Sequence, residues 1–177
     1  IIMVNIFVFV IVRLNIAFTG HINNGAPIDA HPIIDWLAVP SDFISLLKIT
    51  WTLFTQMFFN VGFLHIIWNI LLMYWFARII GDLLGDARVL PLYIMGGLAG
   101  VFIYLMADHL LPVGTDGLSS AIGASAADMS FIFAAATLSP DYTMRLLIRG
   151  NVKIKYIAAF VLFFDLISTT GANSGGH

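Results

Sequence analysis

A few polar groups in a very apolar chain could together carry out acyl transfer. Ser125 offers a hydroxyl within Gly123-Ala124-Ser125-Ala126. His65 and Asn69 lie four residues apart, so a helix would place them on one face about one turn from each other. His177, after Gly175-Gly176, offers an imidazole that could act as a base. A serine attacks a carbonyl when a base takes its proton. The oxyanion so formed needs N–H donors such as His65 and Asn69. Each group also has a plainer reading by itself. Small residues around Ser125 suit helix packing, and His65 with Asn69 would serve as polar glue between helices. His177 alone would be a histidine at the end of a loop.

Such groups need a scaffold, and composition narrows it. Hydrophobic residues make up 60% of the 177 and charged residues 10%, with mean hydropathy +0.96. Soluble domains carry about a quarter charged residues, so an all-α integral membrane protein is expected. Cysteine is absent, which excludes disulfides and thiolate–metal sites. His21, His31 and His109 have no metal-like spacing, so neither metal nor cofactor is expected. The net charge of -2 gives no reason to expect a nucleic-acid partner. The expected surroundings are a lipid bilayer. With Ile rather than Met first and a glycine-rich end, the chain reads as a fragment lacking both ends.

A membrane span needs about 20 mostly apolar residues. Five candidates fit: 1–18, 61–80, 91–107, 118–138 and 154–170, with a sixth opening near 175. They form one domain over 1–177. The long first connection, 19–60, is rich in aromatic and apolar residues, including Trp36, Trp51 and Phe58. It is expected to lie in the membrane interface. No internal repeat is visible, which disfavours an inverted-repeat transporter.

Charge sets the expected orientation. Arg78, Arg88, Arg145, Arg149, Lys153 and Lys155 flank the second and fourth connections, whereas the others carry only Lys48. Positive residues stay cytoplasmic, so the amino terminus is expected inside. Arg13 fits this least well. Ser125 then falls eight residues into the fourth span, about 10 Å deep from the outer side. His65 and Asn69 fall in the outer half of the second span, and His177 would enter the sixth from the same side. Asp128, one turn below Ser125, is costly in a membrane and points to a functional or pairing role. Gly96 and Gly100 form G-x-x-x-G, read as packing.

The order of these motifs resembles that of the rhomboid family of intramembrane serine proteases. His65-Ile-Ile-Trp-Asn69 matches H-x-x-x-N, and Gly123-Ala124-Ser125-Ala126 matches G-x-S-G/A. Gly81 to Arg88, leading to Leu90, Tyr93 and Gly96-Gly97, is similar to the family's stretch between its second and third helices. The resemblance implies a rhomboid-like helical bundle and a Ser–His dyad that cleaves transmembrane protein substrates. Ser125 would be the nucleophile. His65, Asn69 and the Ser125 N–H would hold the oxyanion, with water entering from the outer side. A bacterial inner membrane is the expected location.

Two departures stand beside the resemblance. Family members often have Trp-Arg in the first loop, where this chain has Trp51-Thr52. The family's base commonly sits in small residue–His–x–x–Gly on the sixth helix, and Gly176-His177 supplies the first half. Some members carry two histidines three apart, the second being the base. In that arrangement the base of this protein lies beyond residue 177. Two rival readings remain: a non-catalytic relative that binds transmembrane clients, and a small transporter or channel. The latter would want polar residues along a path through several spans. Here they cluster in the outer halves.

Overall fold

The computed structural model describes residues 1–19, 32–40, 43–60, 62–110, 124–146 and 150–170. Within them the chain runs α1 (Ile2–Phe18), α2 (Pro32–Leu37), α3 (Phe43–Lys48), α4 (Thr52–Thr55), α5 (Phe63–Leu84) and α6 (Val89–Leu110). It continues as α7 (Ser125–Leu138), β1 (Thr143–Leu146), β2 (Gly150–Lys153) and α8 (Ile154–Thr170). The fold is mostly helical, as composition requires. The helix α5 and the segment Asp86–Met106 are long and apolar enough to cross a membrane, while α1, α7 and Ile154–Phe163 are shorter apolar helices.

Local chemistry explains where the long helices stop. Gly62 leads into α5 in an extended conformation, and Gly85 ends it at φ +90° and ψ 147°, a combination open in practice to glycine. The Gly85 N–H reaches back to the Gly81 carbonyl at 2.8 Å. One 3₁₀ turn, Asp86–Arg88, then leads into α6. Pro91 falls in the first turn of α6, where its missing N–H costs no helical bond. The far end of α7 is capped by Ser139, and Pro140 follows it, as is common just past a helix.

The core is built around α7, which packs against α5, α6 and α8. Phe76 and Ile80 of α5, Tyr93 of α6, Phe131 and Ile132 of α7 and Ile154 of α8 are fully buried there. The Tyr93 ring stacks on Phe131 with centroids 5.8 Å apart. Outward, Phe7, Leu64, Phe102, Ile103, Phe160 and Phe163 are exposed. Large apolar residues facing outward on α1, α5, α6 and α8 suit contact with lipid, where helices satisfy their own backbone groups.

In the 19–60 connection, α2 to α4 form short helices. Trp36 and Trp51 stack at 5.7 Å, and Trp51 Nε1 donates to the Trp36 carbonyl at 2.9 Å.

The connection after α7, expected as a loop, instead carries an antiparallel hairpin. Thr143 lies opposite Lys153 and Leu146 opposite Gly150. Its period-2 signal is too short to read against the apolar helices around it. At its base Asp141 accepts hydrogen bonds from Lys155 at 2.8 Å and Lys153 at 2.9 Å. These two bonds, Lys155 first, hold the Asp141 carboxyl down at about 2, below its ordinary 3.8. A lowered value means the clamp is complete above about pH 4 and is lost as pH falls through 2. Amide protection in β1 and β2, taken relative to the intrinsic exchange rate at each pH, is therefore expected to fall across that window. Asp141→Asn should remove the pH step, and an unchanged step would clear Asp141 of this role. The effect is small, because the pair is exposed.

Candidate active site

The site begins where α5 begins. His65 lies in the first turn of α5 and is half-buried, and Asn69 lies one turn later and is 3% exposed. Gly62, just before the helix, leaves room for His65, since a Cβ there would sit 3.3 Å from the His65 Cβ.

Ser125 is the first residue of α7 and is half-buried. The sequence reading placed it eight residues inside a span starting at 118; residues 118–123 lie outside the described residues, and the described helix starts at Ser125. Ala124 precedes α7 without a side-chain capping bond, and Asp128 lies in its first turn. The Ser125 backbone N–H is consequently one of the donors at a helix start that have no partner within the helix itself.

Several contacts bring the two helix starts toward one end of the bundle. Gln56 and Met57 lie in a 3₁₀ turn six to seven residues before α5. Gln56 Nε2 donates to the Gly97 carbonyl of α6 at 3.5 Å, and a Cβ on Gly97 would lie 2.6 Å from Met57 Cγ. The middle of α6 has thus returned to the side where α5 starts. On its other side α6 packs closely on α7. A Cβ on Gly96 would collide with Ser130, and one on Gly100 with Ala126. Increasing numbers on α6 meet decreasing numbers on α7, so the two run antiparallel. The Ser125 end of α7 therefore lies on the side of Gly100, which is also the His65 side of α5.

The G-x-x-x-G reading as packing holds. Without a Cβ at Gly96 and Gly100 the two backbones can approach closely, the main source of helix association in lipid. Ser130 Oγ donates to the Ala127 carbonyl of its own helix at 2.6 Å and lies 3.2 Å from the Leu92 carbonyl across the seam. Gly100→Ala is expected to force α6 off Ala126, next to Ser125, and to lower stability by about 1–3 kcal/mol through overpacking. Thermal unfolding in detergent measures this. Adding Ala126→Gly should recover most of the loss, and no recovery would argue against the seam as its cause.

Three residues missed as site members lie beside Asn69. Asn69 Nδ2 donates to Asn60 Oδ1 at 2.7 Å. Asn60 Nδ2 donates to Asn5 Oδ1 at 3.2 Å. Asn5 Nδ2 donates to the Tyr93 hydroxyl at 3.4 Å and to the Ile1 carbonyl at 3.3 Å. The Tyr93 hydroxyl donates in turn to the Met57 carbonyl. All three asparagines and Tyr93 are at most 3% exposed. The signal was present in the sequence: Asn5 interrupts an apolar run, and intramembrane polar residues are rarely idle.

Asp128 is 2% exposed, and neither carboxylate oxygen has a hydrogen-bond partner among the described residues. His177 lies outside the described residues, and so does Gly123 of the serine motif. Among the described residues no cluster of His, Cys, Asp or Glu could hold a metal ion.

Comparison with known protein families matches a rhomboid domain over residues 48–177. No curated protein and no solved structure matches the chain. The match takes in α4 to α8, and with them His65, Asn69 and Ser125. It covers well over half of the sequence, so the chain belongs to the rhomboid family, whose domain implies a membrane-embedded helical bundle.

Proposed function

We propose that this protein is an intramembrane serine endopeptidase that cleaves transmembrane segments of other proteins. The observation that supports the reading most is the shared end of α5 and α7. There the Ser125 hydroxyl starts one helix, and the His65 and Asn69 donors stand in the first turns of another.

In the proposed reaction Ser125 Oγ forms a bond to the scissile carbonyl carbon while its proton passes to a histidine base. His177 is the candidate in this chain, and a histidine beyond it is the alternative. The oxyanion takes hydrogen bonds from His65, Asn69 and the Ser125 N–H. The C–N bond then breaks, the base returns its proton to the leaving amine, and water hydrolyses the acyl-enzyme. Donors of this kind act most strongly where bulk water is excluded. No metal or cofactor takes part in this scheme. The five apolar segments 1–18, 61–80, 91–107, 118–138 and 154–170 are proposed to span the membrane. The amino terminus is proposed to face the cytoplasm and the site the outer side of a bacterial inner membrane.

Labelling with a fluorophosphonate tests the reading, because the reagent modifies an activated serine. The label should map to Ser125 and disappear in Ser125→Ala. Label of equal strength in both, or none in either, would sink the hydrolase reading and leave a client-binding member of the family.

A further inference from the structure

We infer that Asn60, Asn5 and Tyr93 are positioning residues that anchor the Asn69 amide nitrogen on Asn60 and so set the direction of its second N–H, the one offered to the oxyanion. The inference rests on the oxyanion role proposed for Asn69. A carboxamide has nearly the same shape when turned by 180°, yet only its nitrogen end can donate to an oxyanion. Packing alone would leave both orientations open to Asn69.

The hydrogen-bond chain removes the choice, and its sense can be followed from acceptors that cannot donate. The Met57 carbonyl only accepts, so the Tyr93 hydroxyl must spend its proton there. The Tyr93 oxygen then accepts, and Asn5 must turn its nitrogen toward it. The Ile1 carbonyl makes the same demand of the same nitrogen. Asn5 Oδ1 is left to accept, which obliges Asn60 to donate. Asn60 Oδ1 is left to accept in its turn, so Asn69 must donate.

Each amide thus passes the constraint to the next. Two backbone carbonyls, from Ile1 and Met57, dictate a donor at Asn69. One Asn69 N–H is held by Asn60, and the second is the one the proposal assigns to the oxyanion. The chain also links the start of α1, the segment before α5, and α6. Reversing Asn69 would put two oxygens together at Asn60 in a buried place, where an unmet polar group is costly.

The test uses the rate of Ser125 phosphonylation by a fluorophosphonate, whose five-coordinate transition state builds negative charge on the phosphoryl oxygen as acyl transfer builds it on the carbonyl oxygen. Asn60→Ala and Tyr93→Phe are each measured alone and together with Asn69→Ala. Tyr93→Phe keeps the buried ring and removes only the hydroxyl, so it covers the case in which Asn60→Ala folds poorly. Asn60→Ala is expected to slow labelling by roughly 10-fold and Tyr93→Phe by a few fold, as residues in one network couple. In peptide cleavage the loss should fall on kcat, with KM little changed. Neither change should slow labelling further once Asn69 is alanine. Ser125-dependent labelling with fully additive losses would overturn the positioning role and leave the hydrolase reading standing. Absence of Ser125-dependent labelling would overturn both.

Discussion

Replacing Ser125 by alanine is expected to lower cleavage of a membrane-embedded peptide by on the order of 10⁶-fold. The size follows from what is removed. Without the hydroxyl no acyl-enzyme forms, and the remaining donors can only assist attack by water, which is poorly placed and scarce. The change removes one oxygen at a half-buried position on the first residue of α7, and alanine is favourable in a helix. Stability should stay within about 0.5 kcal/mol, as for substitutions away from buried networks. Cleavage of a single-span substrate in proteoliposomes, beside thermal unfolding of the same preparation, separates the two. Turnover by Ser125→Ala close to wild type would remove Ser125 as the nucleophile.

Asn69→Ala is expected to lower kcat by about 10²- to 10³-fold, the usual cost of one oxyanion donor. KM should hardly move, because the interaction strengthens only as the carbonyl becomes tetrahedral. This variant also has a structural cost. It leaves Asn60 Oδ1 without the donor that meets it at 2.7 Å, in a place almost wholly sealed from solvent. An orphaned buried acceptor costs about 1–3 kcal/mol, so the melting temperature should fall as well. Measuring kcat well below that temperature keeps the effects apart. A lower melting temperature with unchanged kcat would make Asn69 a structural residue and nothing more.

Much of this was legible in the sequence, for physical reasons that can be named. Lipid demands long apolar helices, so α5 and α6 show themselves by hydropathy, within a few residues of their ends. His65 and Asn69 share a face because the helix repeat is fixed. The start of α7 was not legible. A run of small apolar residues looks alike on both sides of a cap, and the change to helix at Ser125 carries no hydropathy signal. The hairpin after α7 was hidden because its strands are four residues each. The asparagine chain was hidden for another reason. Asn5 and Asn60 lie 55 positions apart, and only the fold reveals that they touch. Asp128 was singled out for its cost, and it is indeed buried in the first turn of α7.

The seam between α6 and α7 bears on how such a sequence can drift. Side-chain volume at Gly100 and Ala126 is a shared quantity, since a methyl group at the first would occupy the space of the methyl at the second. The two positions can exchange that methyl but cannot both hold it. The order of mutation then matters. A lineage that first loses the methyl at position 126 crosses a shallow, slightly loosened intermediate. One that first gains a methyl at position 100 meets a collision beside Ser125. Descendants should therefore reach the swapped arrangement by one route and not the other.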